Sequence, residues 1–378
     1  MKNELLFIKN CFNIHYSKQP PKKIAHLVKK SLDWDFILEK LAISDIAPLA
    51  SYNLSHIKNK NIPREFLDSL DAAQKNAMAK NLLIWKSLEE ISADFDSERI
   101  PAIPVKGAFM ADIIYKDVAL RPLADIDLLI KEPDLGKIDA IMLKNACTKS
   151  KKGDFSVNYI KEKMVIDLHY KLNFPSPLSI THDFIWERAR KKGHSGTGML
   201  YPSIEDAVIY TALHFFHHIS DAFLYNAPLP PLKHILDIHE IISRKRNEID
   251  WDYILRFSKK YNIRYILYLS LILSKIYFKT AVPHKVINKI SPPLIRNKIL
   301  MIFIKKYINL QARRINYYPK KINCVYYALF EKPYFKHRLF RPVKDFAEEY
   351  GLPHPSLKTY CLYLLRPFLT LFYLKKCS

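Results

Sequence analysis

The sequence predicts an α+β fold, with a small mixed β-sheet set between a helical N-terminal cap and a large helical C-terminal region. Apolar residues recur at three- and four-residue spacing up to about residue 95 and again from about residue 203, as amphipathic helices require. Between these stretches, short apolar runs and helical patterns follow in the order strand, helix, strand, helix, and end on two β-patterned segments parted by a polar turn. The 378 residues exceed one usual domain, and 49% hydrophobic and 13% aromatic content is ample to bury a core. The expected division is a helical region over 1–95, a sheet-bearing core over 96–172 and a helical region over 173–378.

Asp33 to Leu54 and Pro63 to Asp94 each read as an amphipathic helix. After Arg99 the pattern changes. Ile100, Ile103 and Val105, interleaved with Pro101 and Pro104, make a short extended segment ending at Lys106-Gly107. Ala108 to Tyr115 reads as helix, Ile126 to Ile130 as a buried strand, and Pro133 to Ala146 as a helix with proline in its first turn. Phe155 to Ile160 and Met164 to His169, around Lys161-Glu162-Lys163, form an antiparallel hairpin. Beyond Phe174-Pro175-Ser176-Pro177, helices are expected over Ser203 to His218, with Ser203 and Asp206 at capping-box spacing, over Leu232 to Arg244, and over Trp251 to Phe278. Breaks at Asn226 to Pro231 and Ser291 to Pro293 divide them.

Lys and Arg total 60 against 37 Asp and Glu, a net +23 that suits a polyanionic partner such as RNA or an anionic membrane surface, or simply a well-solvated exterior. The cysteines Cys11, Cys147, Cys324, Cys361 and Cys377 form no C-x-x-C pair, and the N-terminus lacks the apolar run of a secretory signal, so a reducing cytoplasmic location is expected. No transmembrane segment is expected: Tyr265 to Phe278 is too short, and Arg366-Pro367 interrupts Tyr360 to Leu374. The latter, ahead of Lys375 and Lys376, suits packing on the protein itself or peripheral contact with an anionic membrane. Only seven glycines occur, and neither a P-loop nor a strand-borne G-x-G-x-x-G is present, so a nucleotide would have to be held in another way. Gly193, Gly196 and Gly198 read as a loop without chemistry.

Side chains alternate along a strand, so Asp125 and Asp127 share one face of their segment while Ile126, Leu128 and Ile130 enter the core. Two unpaired carboxylates so placed repel one another and call for a cation, naturally Mg²⁺ or in its place Mn²⁺. Met164 to His169 alternates in the same way and offers Asp167 as a third carboxylate. Three carboxylates and a nucleoside triphosphate (NTP) can hold two divalent ions, an arrangement suited to nucleotidyl transfer.

Lys106-Gly107, Tyr115, Arg121, Asp125-Ile-Asp127-Leu-Leu and Asp167-Leu-His169, in that order, resemble the uncharacterised nucleotidyltransferase family of the DNA polymerase β superfamily. Trp186-Glu-Arg-Ala, Ala207 to His214, Leu236-Asp237-Ile, Asp250-Trp251, Phe340-Arg341-Pro342 and Arg366-Pro367 extend the likeness over roughly 30 to 370. The resemblance implies that the 96–172 core is a nucleotidyltransferase core binding ATP or another NTP, with Asp125, Asp127 and Asp167 as catalytic metal ligands. It places Lys106, Gly107 and Arg121 on the triphosphate, with His169 orienting Asp167 or touching substrate. Superfamily enzymes commonly carry Gly-Ser where this chain has Lys106-Gly107, so the resemblance implies a rearranged phosphate site. The acceptor, whether small molecule, saccharide, protein or RNA, is not named by these residues.

Other assignments compete. His182-Asp183 matches the dyad of HD-type phosphohydrolases but follows a proline loop instead of lying inside a helix. A basic scaffold that binds RNA or membrane without catalysis accounts for the charge, but retention of all three carboxylates argues against it. His214, His217, His218 and Asp221 sit on one predicted helix, with His214 and His218 on a common face; without a further ligand they read as structural.

Overall fold

The structure, a computed structural model, describes residues 2–12, 22–57, 59–171, 180–191, 199–224 and 231–293, with single residues 301, 304 and 356. The expected features at Phe174 to Pro177, Gly193 to Gly198, Asn226 to Pro230, Cys324, Phe340 to Pro342, and Tyr360 to Cys377 lie outside these residues.

The chain opens with α1 (Lys2–Cys11), α2 (Lys22–Leu27), α3 (Trp34–Ile43), α4 (Ala47–Ser55) and α5 (Arg64–Ser97). Asp33 caps α3, its carboxylate accepting the Phe36 N–H at 2.9 Å. The single helix expected over Asp33 to Leu54 is broken, because Asp45 turns left-handed (φ 53°) and Pro48 must occupy the first turn of a new helix. α5 runs for 34 residues, about 50 Å at 1.5 Å per residue, and buries a stripe of Phe66, Leu70, Ile84, Leu88, Ile91 and Phe95.

The core follows as β1 (Ile103–Pro104), α6 (Lys106–Phe109) running into a π-helical turn (Met110–Tyr115), and β2 (Asp125–Leu129). A 3₁₀ turn then leads into α7 (Leu135–Lys144), followed by β3 (Thr148–Lys152), β4 (Ser156–Lys161) and β5 (Met164–His169). The five strands are ordered β1-β2-β5-β4-β3, mixed because β2 and β5 run parallel while the other pairs are antiparallel. The intervening α7 and β3–β4 hairpin supply the crossover that a parallel pair needs. Ile126, Leu128, Ile166 and Leu168 are fully buried, and this alternation turns the aspartates between them to the opposite face. β3 was not expected: Thr-Lys-Ser-Lys-Lys lacks apolar alternation because it is the lysine-bearing edge of the sheet.

The remaining described elements are α8 (Asp183–Arg188), a small ribbon of β6 (Arg190–Lys191) and β7 (Leu200–Tyr201), α9 (Ile204–Leu224), α10 (Lys233–Arg244), α11 (Trp251–Lys260), α12 (Arg264–Phe278) and α13 (His284–Ile290). Ser203 starts α9 as expected, accepting the Asp206 N–H and donating to its carboxylate at 2.7 Å. The helix expected over Trp251 to Phe278 is two, parted where Asn262 adopts φ 55°. The architecture is thus the α+β arrangement expected, a small mixed sheet among helices. No helix of the described residues is long and apolar enough to cross a membrane.

A single α5 side chain holds the loop that enters β2. Asn81, fully buried, donates to the carbonyls of Val118 (2.6 Å) and Arg121 (2.8 Å) and accepts the Leu123 N–H (3.0 Å). Replacing it by leucine strands three buried backbone groups, so Asn81→Leu is expected to cost roughly 2–4 kcal/mol, read as a lower urea midpoint at unchanged slope.

Candidate active site

Parallel pairing sets Asp127 directly beside Asp167 on the neighbouring strand, with Asp125 two residues earlier on the same face. The three carboxylates expected to act together are therefore on one face of two adjacent strands. Lys106, at the first residue of α6 and in left-handed backbone (φ 49°), brings its Nζ to 2.5 Å from Asp127 Oδ1. His169 Nε2 lies 2.8 Å from the same oxygen and 3.2 Å from Asp167 Oδ2. Two donors thus converge on one carboxylate oxygen, and the 3.2 Å between Lys106 Nζ and His169 Nε2 is the spacing of neighbours about a shared acceptor.

The electrostatics follow from burial. Asp127 is 3% exposed; burial would raise its carboxyl, but the Lys106 ammonium and the His169 hydrogen bond hold it well below the usual carboxylate range. Burial likewise works against the charge on Lys106 and His169, and Asp127 reverses it in both, with Asp167 adding to the effect on His169. Asp125 goes the other way: burial first, then the negative charge of Asp127, pushes it up to about 6. The cluster holds three carboxylates against one ammonium, and Asp167 Oδ1 is buried without a hydrogen-bond partner. Such a donor set, hard oxygens with an unsatisfied buried lone pair, fits Mg²⁺ or Mn²⁺.

These residues open on a cleft of about 350 Å³ between the sheet and α9, lined by Lys106, Asn158, Asp167 and His169 on one side and by Tyr210, His214, His217 and His218 on the other. His169, expected to orient Asp167 or touch substrate, is inside the cluster. Arg121 and Gly107 are placed differently from the other expected phosphate contacts. The Arg121 guanidinium is buried and bidentate to Asp237 of α10 (Nε–Oδ1 2.9 Å, Nη2–Oδ2 2.8 Å), away from the cleft lining. A Cβ at Gly107 would stand 2.9 Å from Leu123 Cδ2, so this glycine keeps α6 tight against the loop into β2. His182-Asp183 lies at the start of α8 on an adjoining cleft with Lys131 and Trp186, whose lining among the described residues contains no second histidine.

The chain matches the family described as Uncharacterised nucleotidyltransferase over residues 30–279, a span that includes every residue of this cluster. It belongs to that family. No curated protein matches this nucleotidyltransferase. A crystal structure of ANT(2'')-Ia in complex with adenylyl-2''-tobramycin and a solution structure of ANT(2'')-Ia each align at 15% identity and TM-score 0.36. They cover 48% and 49% of this chain and 99% and 94% of their own.

Asp237 and Tyr210 enter the sequence only within the family likeness, with no role expected of them, and Asn158 and His234 are not singled out there at all. Asn158 follows from strand register, opposite Asp167 in the hairpin. His234, at the first turn of α10, joins His214 and His218 of α9, with ligand nitrogens all within 4.8 Å of one another. Burial, reinforced for His214 by Lys106 and for His234 by His218, drives both imidazoles well below their ordinary pKa, and His218 falls to about 4.

Arg121→Ala leaves the Asp237 carboxylate buried without its counter-charge, a change expected to cost about 3–5 kcal/mol. Thermal unfolding should therefore fall sharply, whereas a surface phosphate clamp would leave stability unchanged.

Proposed function

We propose that this nucleotidyltransferase moves a nucleoside monophosphate from an NTP to an acceptor by polymerase β-like chemistry. The observation that carries the proposal is the register: Asp127 beside Asp167, with Asp125 on the same face and Asp167 lining the cleft. Asp125, Asp127 and Asp167 would hold two Mg²⁺ ions, which supply charge neutralisation on the triphosphate and on the departing pyrophosphate. Everything else falls to the chain's own side chains. The Lys106 ammonium, which neutralises Asp127 across 2.5 Å, exchanges that contact for a phosphate oxygen of the arriving nucleotide. His169 bridges Asp127 and Asp167 and fixes the orientation of both carboxylates. The acceptor oxygen attacks the α-phosphorus, the bond from the α-phosphorus to the oxygen bridging the β-phosphate breaks, and pyrophosphate leaves; Asp167 takes the acceptor proton. α9 walls the side of the cleft opposite the sheet, and water kept from that space would favour transfer over hydrolysis. In this reading Arg121 braces the fold, and Lys106 makes the phosphate contact.

The cleft also presents Asn158 beside Asp167 and, facing them, Tyr210 and His217, a polar lining suited to a hydroxyl-bearing acceptor. The test is label transfer from each NTP, carried on the α- or the γ-phosphate, into fractions of small molecules, saccharides, protein and RNA with Mg²⁺ present. Label should pass from the α position only, and Asp127→Asn should lower it on the order of a thousandfold. Transfer of γ-label would make the protein a kinase and overturn the proposal.

A further inference from the structure

We propose a second metal site, chemically distinct from the carboxylates, in which His214, His218 and His234 bind one first-row transition ion, zinc by preference, across the same cleft. His214 and His218 lie four residues apart on one face of α9, and the first turn of α10 brings His234 against both, with ring centroids 5.1 Å and 4.8 Å away. The Nε2 atoms of His214 and His218 are 3.1 Å apart. Tetrahedral zinc with bonds of 2.0–2.1 Å holds its ligand nitrogens roughly 3.3 Å from each other, so this pair needs to open by only a few tenths of an ångström. The third imidazole lies within 4.8 Å, a gap that side-chain rotation closes.

Donor chemistry separates the two sites. Imidazole nitrogen selects zinc, cobalt or nickel, whereas the carboxylate cluster selects Mg²⁺. Nearby positive charge does not forbid a cation, because Lys106 is paired with Asp127 at 2.5 Å and Lys233 with Asp45 at 2.6 Å. Two of the three ligands line the cleft, so a three-histidine site leaves its fourth position on the side from which substrate enters. The ion also ties α9 to α10, and hence to the Arg121–Asp237 pair.

The experiment strips the full-length protein with chelator and titrates it with Co²⁺, whose visible absorption reports tetrahedral nitrogen coordination, and then displaces it with Zn²⁺. One equivalent should bind to wild type and equally to the Asp125→Asn, Asp167→Asn double variant, which keeps Lys106 paired with Asp127. His234→Gln and, separately, His218→Asn should weaken binding more than about 100-fold, beyond the 10–100-fold typical of losing an outer-shell partner. Circular dichroism identifies any variant that fails to fold, and the other then decides. No cobalt spectrum in wild type, or a spectrum lost with the carboxylates and kept without the histidines, would overturn the site. Because the readout is coordination, nucleotidyl transfer can fail while this site stands, and the reverse.

Discussion

The parallel pairing of β2 with β5 is the constraint on which the rest of the site depends. It forces Asp127 and Asp167 side by side, and two like charges about 5 Å apart at an effective dielectric of about 20 oppose folding by roughly 3 kcal/mol. The fold accepts that repulsion only because Lys106 and His169 donate into the same carboxylate oxygen. The compensation is partial, since Asp125 is pushed up to about 6 and a buried oxygen of Asp167 lacks a partner. The cluster therefore keeps an unmet demand for positive charge, which under the proposed function divalent ions arriving with an NTP would supply.

The helices on either side hold this arrangement in place. Asn81 of α5 fixes the loop ahead of Asp125 through three backbone hydrogen bonds. From the other side, Asp237 of α10 takes the Arg121 guanidinium of that loop and the Tyr115 hydroxyl that precedes it. The strand carrying the aspartates is thus positioned by buried polar contacts to elements about forty residues before it and more than one hundred after it. α9 completes the cleft from above and contributes the histidines opposite the carboxylates.

Much of this was legible in the sequence where one physical rule dominates. The alternation of Asp125-Ile-Asp127-Leu and Ile166-Asp167-Leu168 assigned both strands and their acidic face, because period-two burial fixes which side chains turn to the core, while the register that sets Asp127 beside Asp167 came only with the fold. The hairpin at Glu162 and the start of α9 at Ser203 followed from local turn and cap chemistry. Long-range choices were not legible. Arg121 looks the same in sequence whether it meets phosphate or Asp237, and only the packing of α10 decides. The left-handed residues Asp45 and Asn262 break helices whose apolar period continues through them. β3 carries no apolar signal, and His234 is remote in sequence from the pair it joins.

The central claim, that the three aspartates bind a metal-chelated nucleotide, is tested most directly by calorimetric titration with non-hydrolysable NTP analogues. Wild type and the Asp125→Asn, Asp127→Asn double variant are compared, each with and without Mg²⁺. At least one nucleotide is expected to bind wild type in a manner that requires Mg²⁺ and is absent from the variant. Binding that is equal in the two proteins, or indifferent to Mg²⁺, would contradict that claim.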